Sequence, residues 1–120
     1  MKEVQWIGSS RSDLKQFPKK ARYTVGVALR WAQRGRKHAS AKPLQGFGGG
    51  GVLEIFDSFE GDAYRAVYTV HFAERVYVLH CFQKKSKHGI ATPKRQMELI
   101  RTRLKWAEEM HEAWLKNQRV

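Results

Sequence analysis

Cysteine and long apolar segments are scarce in this sequence. Cys81 is the only cysteine among the 120 residues, which excludes an internal disulfide and a zinc site built from cysteines. No apolar run approaches the roughly 20 residues of a membrane-spanning helix, so a membrane is not expected as a partner. Residues 1–7 lack the apolar stretch of a signal peptide. These absences predict a protein of the reducing cytoplasm.

Acidic residues are also few, with 11 Asp and Glu against 23 Lys and Arg and a formal net charge of +12. No dense cluster of Asp, Glu and His is visible, so neither a metal nor a cofactor is expected. The length fits one domain over residues 1–120, and a content of 42% hydrophobic residues suffices for a folded core. A charge excess of this size attracts polyanions, which predicts nucleic acid as the partner.

The positive charge is concentrated in two blocks. Residues 11–42 contain ten basic residues and one acid, a net of +9, and residues 83–103 contain seven and one, a net of +6. Between them, residues 52–62 contain four acids and no Lys or Arg. Either block is compatible with a solvated helix surface. Lys84 and Lys85, however, stand at the end of a predicted strand, which favours a functional role for them.

Apolar periodicity and turn residues predict an α+β fold with seven elements in the order β-α-α-β-β-β-α. Pro18 is expected in the first turn of the second helix, and Thr92 and Pro93 as the N-cap and first residue of the last helix. The first two helices are expected to form a hairpin packed on a mostly antiparallel sheet, to which the C-terminal helix is added. The predicted strands are 2–7, 52–56, 63–71 and 75–83, and the predicted helices are 10–17, 18–35 and about 93–117.

Alternation within the strands assigns side chains to the two faces of the sheet. Arg65 is predicted to share one face of the sheet with Val67, whereas Tyr64, Ala66 and Tyr68 are predicted on the other face. In the last strand, His80 is predicted on the same face as Val78 and Phe82. The short connections between these consecutive strands require antiparallel neighbours.

Three stretches of the sequence resemble one protein family over about residues 3 to 105. They are 42–46 leading to 53–55, the strand Tyr64-Arg65-Ala66-Val67-Tyr68, and the segment 79–93 with its core Phe82-Gln83-Lys84-Lys85-Ser86. Together they resemble the RelE/HigB superfamily of bacterial type II toxins, in particular its phage-derived HigB-like branch.

The resemblance implies a small RelE-like domain that acts as a ribosome-dependent endoribonuclease and inhibits translation by cutting mRNA. It also implies an antitoxin, which in this branch is typically a helix-turn-helix protein. The mRNA and the ribosome with its rRNA would then be the nucleic-acid partners. Charge alone leaves open a non-catalytic RNA- or DNA-binding protein of the same fold. A DNA-binding repressor would need the second helix as its recognition helix, whose apolar stripe suits packing better.

Metal-independent RNA cleavage needs a base for the attacking 2′-hydroxyl, an acid for the leaving 5′-oxygen and positive charge at the phosphate. Arg65 is the best candidate for that charge, because a guanidinium can bind two phosphate oxygens. Alternatively, it pairs across the sheet with an acid. Lys84 and Lys85 are candidates for phosphate ligand or proton donor, although lysines at a strand end can also discourage edge pairing.

His80 is the fourth catalytic candidate, because imidazole titrates in the range useful for proton transfer. A histidine of the core is an equally good interpretation of its apolar face, and His88 is the alternative for proton transfer. Glu54 is expected to pair with Arg65 or Lys85 and to hold it in place. The RNA-binding candidates are Lys42, Lys87, His88, Lys94 and Arg95.

Overall fold

The computed structural model describes residues 1–49, 51–84 and 92–118. These residues form an α+β structure with one strand more than predicted, and the long last helix lies close to its predicted bounds. The strands are β1 Glu3–Trp6, β2 Ala41–Pro43, β3 Val52–Phe59, β4 Asp62–Thr69 and β5 Arg75–Lys84. The helices are α1 Ser10–Lys15, α2 Lys19–Gln33 and α3 Lys94–Asn117. Within the described ranges, no helix is long and apolar enough to cross a membrane.

The five strands form one open sheet in the order β1-β5-β4-β3-β2. β1 runs parallel to β5 and every other neighbouring pair is antiparallel, so the mostly antiparallel sheet is confirmed. The additional strand β2 escapes sequence analysis because it is three residues long and ends in Pro43. A proline cannot donate a ladder hydrogen bond and is tolerated at a sheet edge, where β2 lies.

The hairpin between β3 and β4 is tighter than the predicted connection of residues 57–62. Only Glu60 and Gly61 lie between the two strands. Both have positive φ angles, 51° and 85°, which is the backbone conformation of a two-residue turn that matches the strand twist. The sequence suggests a longer loop because Asp57 and Ser58 are typical turn residues, yet both lie in β3.

Helices cover both faces of the sheet. On one face α2 packs Ala21 and Val25 into a core that includes Tyr68 of β4. On the other face α3 packs Ile100 and Ala107 into a second core with neighbouring strand residues. α3 therefore forms a third layer on the sheet, and the predicted C-terminal helix is confirmed.

Prolines occupy the N-cap positions of both long helices. Pro18 precedes α2 and Pro93 precedes α3, which corrects the predicted first-turn positions of the prolines and the N-cap role of Thr92. The hydroxyl of Thr92 instead donates a hydrogen bond to Oε2 of Glu54 at 3.0 Å. This bond connects the start of α3 to β3.

β5 contains a β-bulge at Leu79. Val67 pairs with His80, but the next residue of β4, Tyr68, pairs with Val78, so that Leu79 is an extra residue in β5. The extra residue reverses the alternation along the strand. Val78 lies in the core under α2, whereas His80 contacts α3. The prediction that His80 shares a face with Val78 is therefore wrong.

Candidate functional site

The sheet face covered by α3 brings together predicted site residues from four strands. Glu54 of β3 pairs with Val67 of β4, and Val67 pairs with His80 of β5, which follows the bulge. Side chains two residues apart along a strand point to the same face. The predicted residues on this surface, hereafter the candidate face, are Lys42, Glu54, Arg65, His80 and Lys84.

An ion pair between Arg65 and Glu54 lies at the centre of the candidate face. Nη1 of Arg65 donates to Oε1 of Glu54 at 2.8 Å, and Arg65 is only 4% exposed. Its guanidinium also lies over the ring of Phe56, 5.2 Å from the centroid. Because Oε2 of Glu54 accepts from Thr92, the carboxylate holds Arg65 on one side and the start of α3 on the other.

His80 is buried between the sheet and α3. Its Nε2 is hydrogen-bonded to Oε1 of Gln96, its Nδ1 lies 3.2 Å from Nη1 of Arg103, and its ring stacks on Phe82. A guanidinium has no acceptor, so Nδ1 must accept and the imidazole proton lies on Nε2. Burial, together with the charge of Arg103, lowers the pKa of His80 below 6.5. The imidazole is therefore neutral at pH 7.

Arg103 is a buried residue of this region that sequence analysis did not single out. Besides contacting His80, it donates from Nη1 to the carbonyl oxygen of Leu79 and from Nη2 to Oγ of Ser9, both at 3.0 Å. Gly8, with a φ of +55°, makes room for it, because a Cβ there would lie 3.0 Å from the guanidinium. Arg103 thus connects α3 to the bulge and to the turn before α1.

The other basic candidates within the described ranges lie on the candidate face or beside it. Lys84 is half-buried at the end of β5, and Lys42 is exposed on the edge strand β2. Lys94 and Arg95 are exposed in the first turn of α3, next to Thr92. The first turn of α3 contains no acid.

Three predicted residues, Lys85, Lys87 and His88, lie outside the described residues. The described chain stops before them at Lys84 and resumes after them at Thr92. The roles expected of the three residues stay predictions.

The candidate face suits an anionic ligand. It places the cations Lys42, Arg65 and Lys84 around a single carboxylate, and preorganised cations stabilise charge on a bound phosphate. In the described part of the chain, no group of three or more His, Cys, Asp or Glu side chains is arranged to hold a metal ion. The chemistry available there is that of guanidinium, ammonium and imidazole groups.

The fold and this face define a small, basic α+β protein with a cationic surface beside a buried ion pair. Residues 12–105 match the family described as Phage derived protein Gp49-like (DUF891). The chain belongs to this family, a family of RelE-like toxins associated with toxin–antitoxin systems, and membership implies an antitoxin partner. Searches among curated proteins and solved structures give no significant match.

Proposed function

We propose that this protein is the toxin of a type II toxin–antitoxin system and cleaves mRNA on the translating ribosome. We also assign it a RelE-like fold and the phage-derived HigB-like branch. Family membership supports the toxin assignment. The observation that carries the catalytic assignment is the buried Arg65–Glu54 pair on the same face as Lys84.

The proposed reaction is an internal transesterification of RNA. The 2′-oxygen attacks the adjacent phosphorus and loses its proton, the bond from phosphorus to the 5′-oxygen breaks, and that oxygen gains a proton. The products are a 2′,3′-cyclic phosphate and a 5′-hydroxyl end. Negative charge builds up on the phosphate oxygens during the attack, and a fixed cation stabilises it more than it stabilises the ground state.

In this proposal Arg65 holds the phosphate and Glu54 orients Arg65. A guanidinium can offer one edge to the carboxylate and another to a phosphate, whereas an ammonium group lacks this fork geometry. Lys84 or Lys85 then donates the proton that the leaving 5′-oxygen needs. Lys42, Lys94 and Arg95, with Lys87 and His88, hold the RNA backbone on either side.

His80 enters the proposal as a neutral hydrogen-bond donor. Its Nε2–H faces Gln96, and it reaches RNA if the RNA displaces that amide. Nδ1 is not available to accept a proton, because Arg103 donates to it. A base for the 2′-hydroxyl is therefore sought first at His88 or at a lysine rather than at Nδ1 of His80.

The proposed partners follow from the same assignment. The chain would meet mRNA and rRNA on the ribosome in the cytoplasm, without a membrane or cofactor, and a helix-turn-helix antitoxin would silence it. The positive charge of the chain, a formal +12, favours every polyanionic partner on this list.

A second candidate function is RNA or DNA binding without cleavage. The observation that favours it is the enclosure of Arg65, which is 4% exposed and already paired with Glu54. An enclosed guanidinium reaches a phosphate only if the side chains around it move. A binder would need Arg65 for stability alone, so the two functions predict different effects of its replacement.

The experiment compares induction of the wild-type chain with the variants Arg65→Lys and Lys84→Gln in growing bacteria. We expect the wild type to stop protein synthesis, Arg65→Lys to abolish the effect because the fork geometry is lost, and Lys84→Gln to weaken it. Lys105→Gln is the control. Lys105 is exposed on α3, and its replacement removes one positive charge, as Lys84→Gln does. Incorporation of labelled amino acid measures translation, and circular dichroism verifies folding.

A folded Arg65→Lys protein that still stops translation would remove Arg65 from the proposed chemistry. Arrest by the wild type and by both variants to the same extent would favour the binding function. Loss of arrest in the Lys105→Gln control as well would indicate a general effect of charge rather than a site.

A further inference from the structure

One surface of the helix α2 has a composition that folding does not explain. Its outward residues Lys19, Arg22, Tyr23, Gly26 and Arg30 are all exposed, and we refer to them as the α2 outer face. The helix sequence contains no acid at all. In the described part of the chain, no carboxylate forms an ion pair with any of its three cations.

The cations at the start of α2 oppose the helix dipole. The first turn contains Lys19, Lys20 and Arg22, has no acid, and has no side-chain cap. The positive end of the helix dipole repels cations, so this arrangement destabilises the helix. Within the described residues, Lys20 is compensated by Asp57 at 3.5 Å and by the carbonyl oxygen of Ser58, whereas no acid forms an ion pair with Lys19 or Arg22.

Gly26 lies in the middle of this surface. Glycine is the least favourable helix residue apart from proline, and it is retained in helix interiors where a neighbour needs the space. Apart from its chain neighbours and the backbone of the helix itself, no atom of the described residues lies within 4 Å of the position that a Cβ would occupy at Gly26. The described residues therefore leave this space open, and a partner that approaches the helix backbone closely would use it.

The surroundings of Gly26 indicate the chemistry of that partner. Arg22 and Arg30 flank it one turn away on each side, about 12 Å apart along the helix axis. Tyr23, which is 73% exposed, lies beside it. A sugar–phosphate chain that crosses the helix at Gly26 would meet a guanidinium on each side and an aromatic ring for a base or ribose.

This surface is separate from the candidate face. α2 packs on the side of the sheet where Tyr68 and Val78 are buried, whereas Arg65 and His80 belong to the side under α3. The sheet and one helix layer lie between the two surfaces. The two surfaces therefore face opposite sides of the sheet.

We propose that the α2 outer face is a second RNA-binding surface, which holds an RNA backbone across Gly26 while the candidate face engages the strand to be cut. The inference rests on the RNA partner of the proposed function but not on cleavage. It applies equally to a chain that binds RNA without cutting it.

The first test measures binding of a short labelled RNA hairpin by fluorescence anisotropy over a range of salt concentrations. We expect Arg22→Gln/Arg30→Gln to weaken binding about tenfold and to reduce the slope of log K against log salt by about 2, roughly one for each lost phosphate contact. The matched control is Lys105→Gln/Lys116→Gln on α3, which loses the same charge from exposed positions and changes binding less. Equal effects of the two double variants would overturn the proposal, because RNA binding would then depend on the net charge of the protein and not on the position of Arg22 and Arg30.

The second test uses Gly26→Ala, in which stability and binding should change in opposite directions. The melting temperature should rise by about 2–5 °C, because alanine favours the helix and meets no neighbour. RNA affinity should fall, and it should fall further in Gly26→Gln. Unchanged or tighter RNA binding by the better-folded Gly26→Ala would overturn the proposal.

A third measurement separates RNA from an acidic protein partner. If Arg22→Gln/Arg30→Gln weakens binding of polyglutamate but not of the hairpin, the face binds acidic protein and the proposal is wrong. Failure of the proposed function is recognised independently. If the wild type never cleaves mRNA but the α2 variants still bind the hairpin more weakly, the nuclease assignment fails. The proposal of an RNA-binding α2 outer face then still stands.

Discussion

Arg103 contacts both the backbone carbonyl group of Leu79 and the imidazole ring of His80, the next residue. Its Nη1 lies 3.0 Å from the carbonyl oxygen of Leu79 and 3.2 Å from Nδ1 of His80. One guanidinium nitrogen thus fixes the bulge backbone and the ring that follows it. Because only the bulge turns His80 to the candidate face, Arg103 stabilises the local geometry on which the face depends.

Replacement of Arg103 by methionine should therefore change both stability and the proton equilibrium of His80. We expect a loss of about 2–4 kcal/mol in the free energy of unfolding, since buried acceptors lose charged donors. The pKa of His80 should rise, because the charge of Arg103 lowers it, although burial will still keep it below the ordinary value. Urea denaturation and NMR titration of the imidazole measure the two effects, with Lys105→Met as control. A His80 titration that Arg103→Met leaves unchanged would contradict the account.

The lowered pKa of His80 predicts a loss of stability in acid. The unfolded chain binds a proton at the ordinary pKa near 6.5, whereas folded His80 binds it only at lower pH. Below about pH 6.5 the unfolded state therefore binds more protons, and the free energy of unfolding falls as the pH falls further. Melting temperatures measured between about pH 5 and pH 8 should show this slope, and His80→Gln should reduce it. An identical slope in both proteins would exclude His80 as its source.

Glu54→Gln tests whether the carboxylate of Glu54 holds the guanidinium of Arg65 in position or only lies next to it. Removing the carboxylate leaves a buried guanidinium without its charged partner, and we expect a loss of about 3 kcal/mol in stability. Glu109→Gln, at an exposed position of α3, is the control and should stay within about 0.5 kcal/mol of the wild type. Urea midpoints provide the measurement. If Glu54→Gln is as stable as its control, the ion pair does not hold Arg65.

The tight turn between β3 and β4 offers a stabilising change at Glu60, a residue to which the proposed reaction assigns no role. Glu60 has a φ of 51°, a left-handed conformation in which asparagine is more favourable than glutamate. Glu60→Asn should raise the free energy of unfolding by about 0.5 kcal/mol and leave toxicity unchanged. Ser58→Asn, within β3, serves as the comparison. A destabilised Glu60→Asn protein would show that the turn is not the two-residue type described.

Sequence pattern predicts the central strands well because they are runs of β-branched and aromatic residues that are separated by short turns and buried on both faces. The alternation of β4 correctly separates Arg65 and Val67 from Tyr68. It fails at Leu79, because a bulge inserts one residue without any change in the apolar pattern. The error is local but affects the site, since it moves His80 to the other face.

Arg103 shows a signal that the sequence did contain. It stands in the buried stripe of α3 with Ile100, Ala107 and His111, at helical spacing. A basic residue within such a stripe needs buried acceptors, and this requirement predicts polar partners on the facing strand. Its partners themselves, a carbonyl group at the bulge and the hydroxyl of Ser9, could not be predicted, because both depend on tertiary contacts.

The central claim is that Arg65 acts in cleavage of translated mRNA, and mapping of new 5′ ends tests it most directly. In a reconstituted translation reaction, the wild-type chain should produce 5′-hydroxyl ends within the message only while ribosomes translate it. The folded Arg65→Lys protein should produce none, and Lys105→Gln should reproduce the wild-type ends. Absence of new ends with the wild type, or the same ends with Arg65→Lys, would contradict the account.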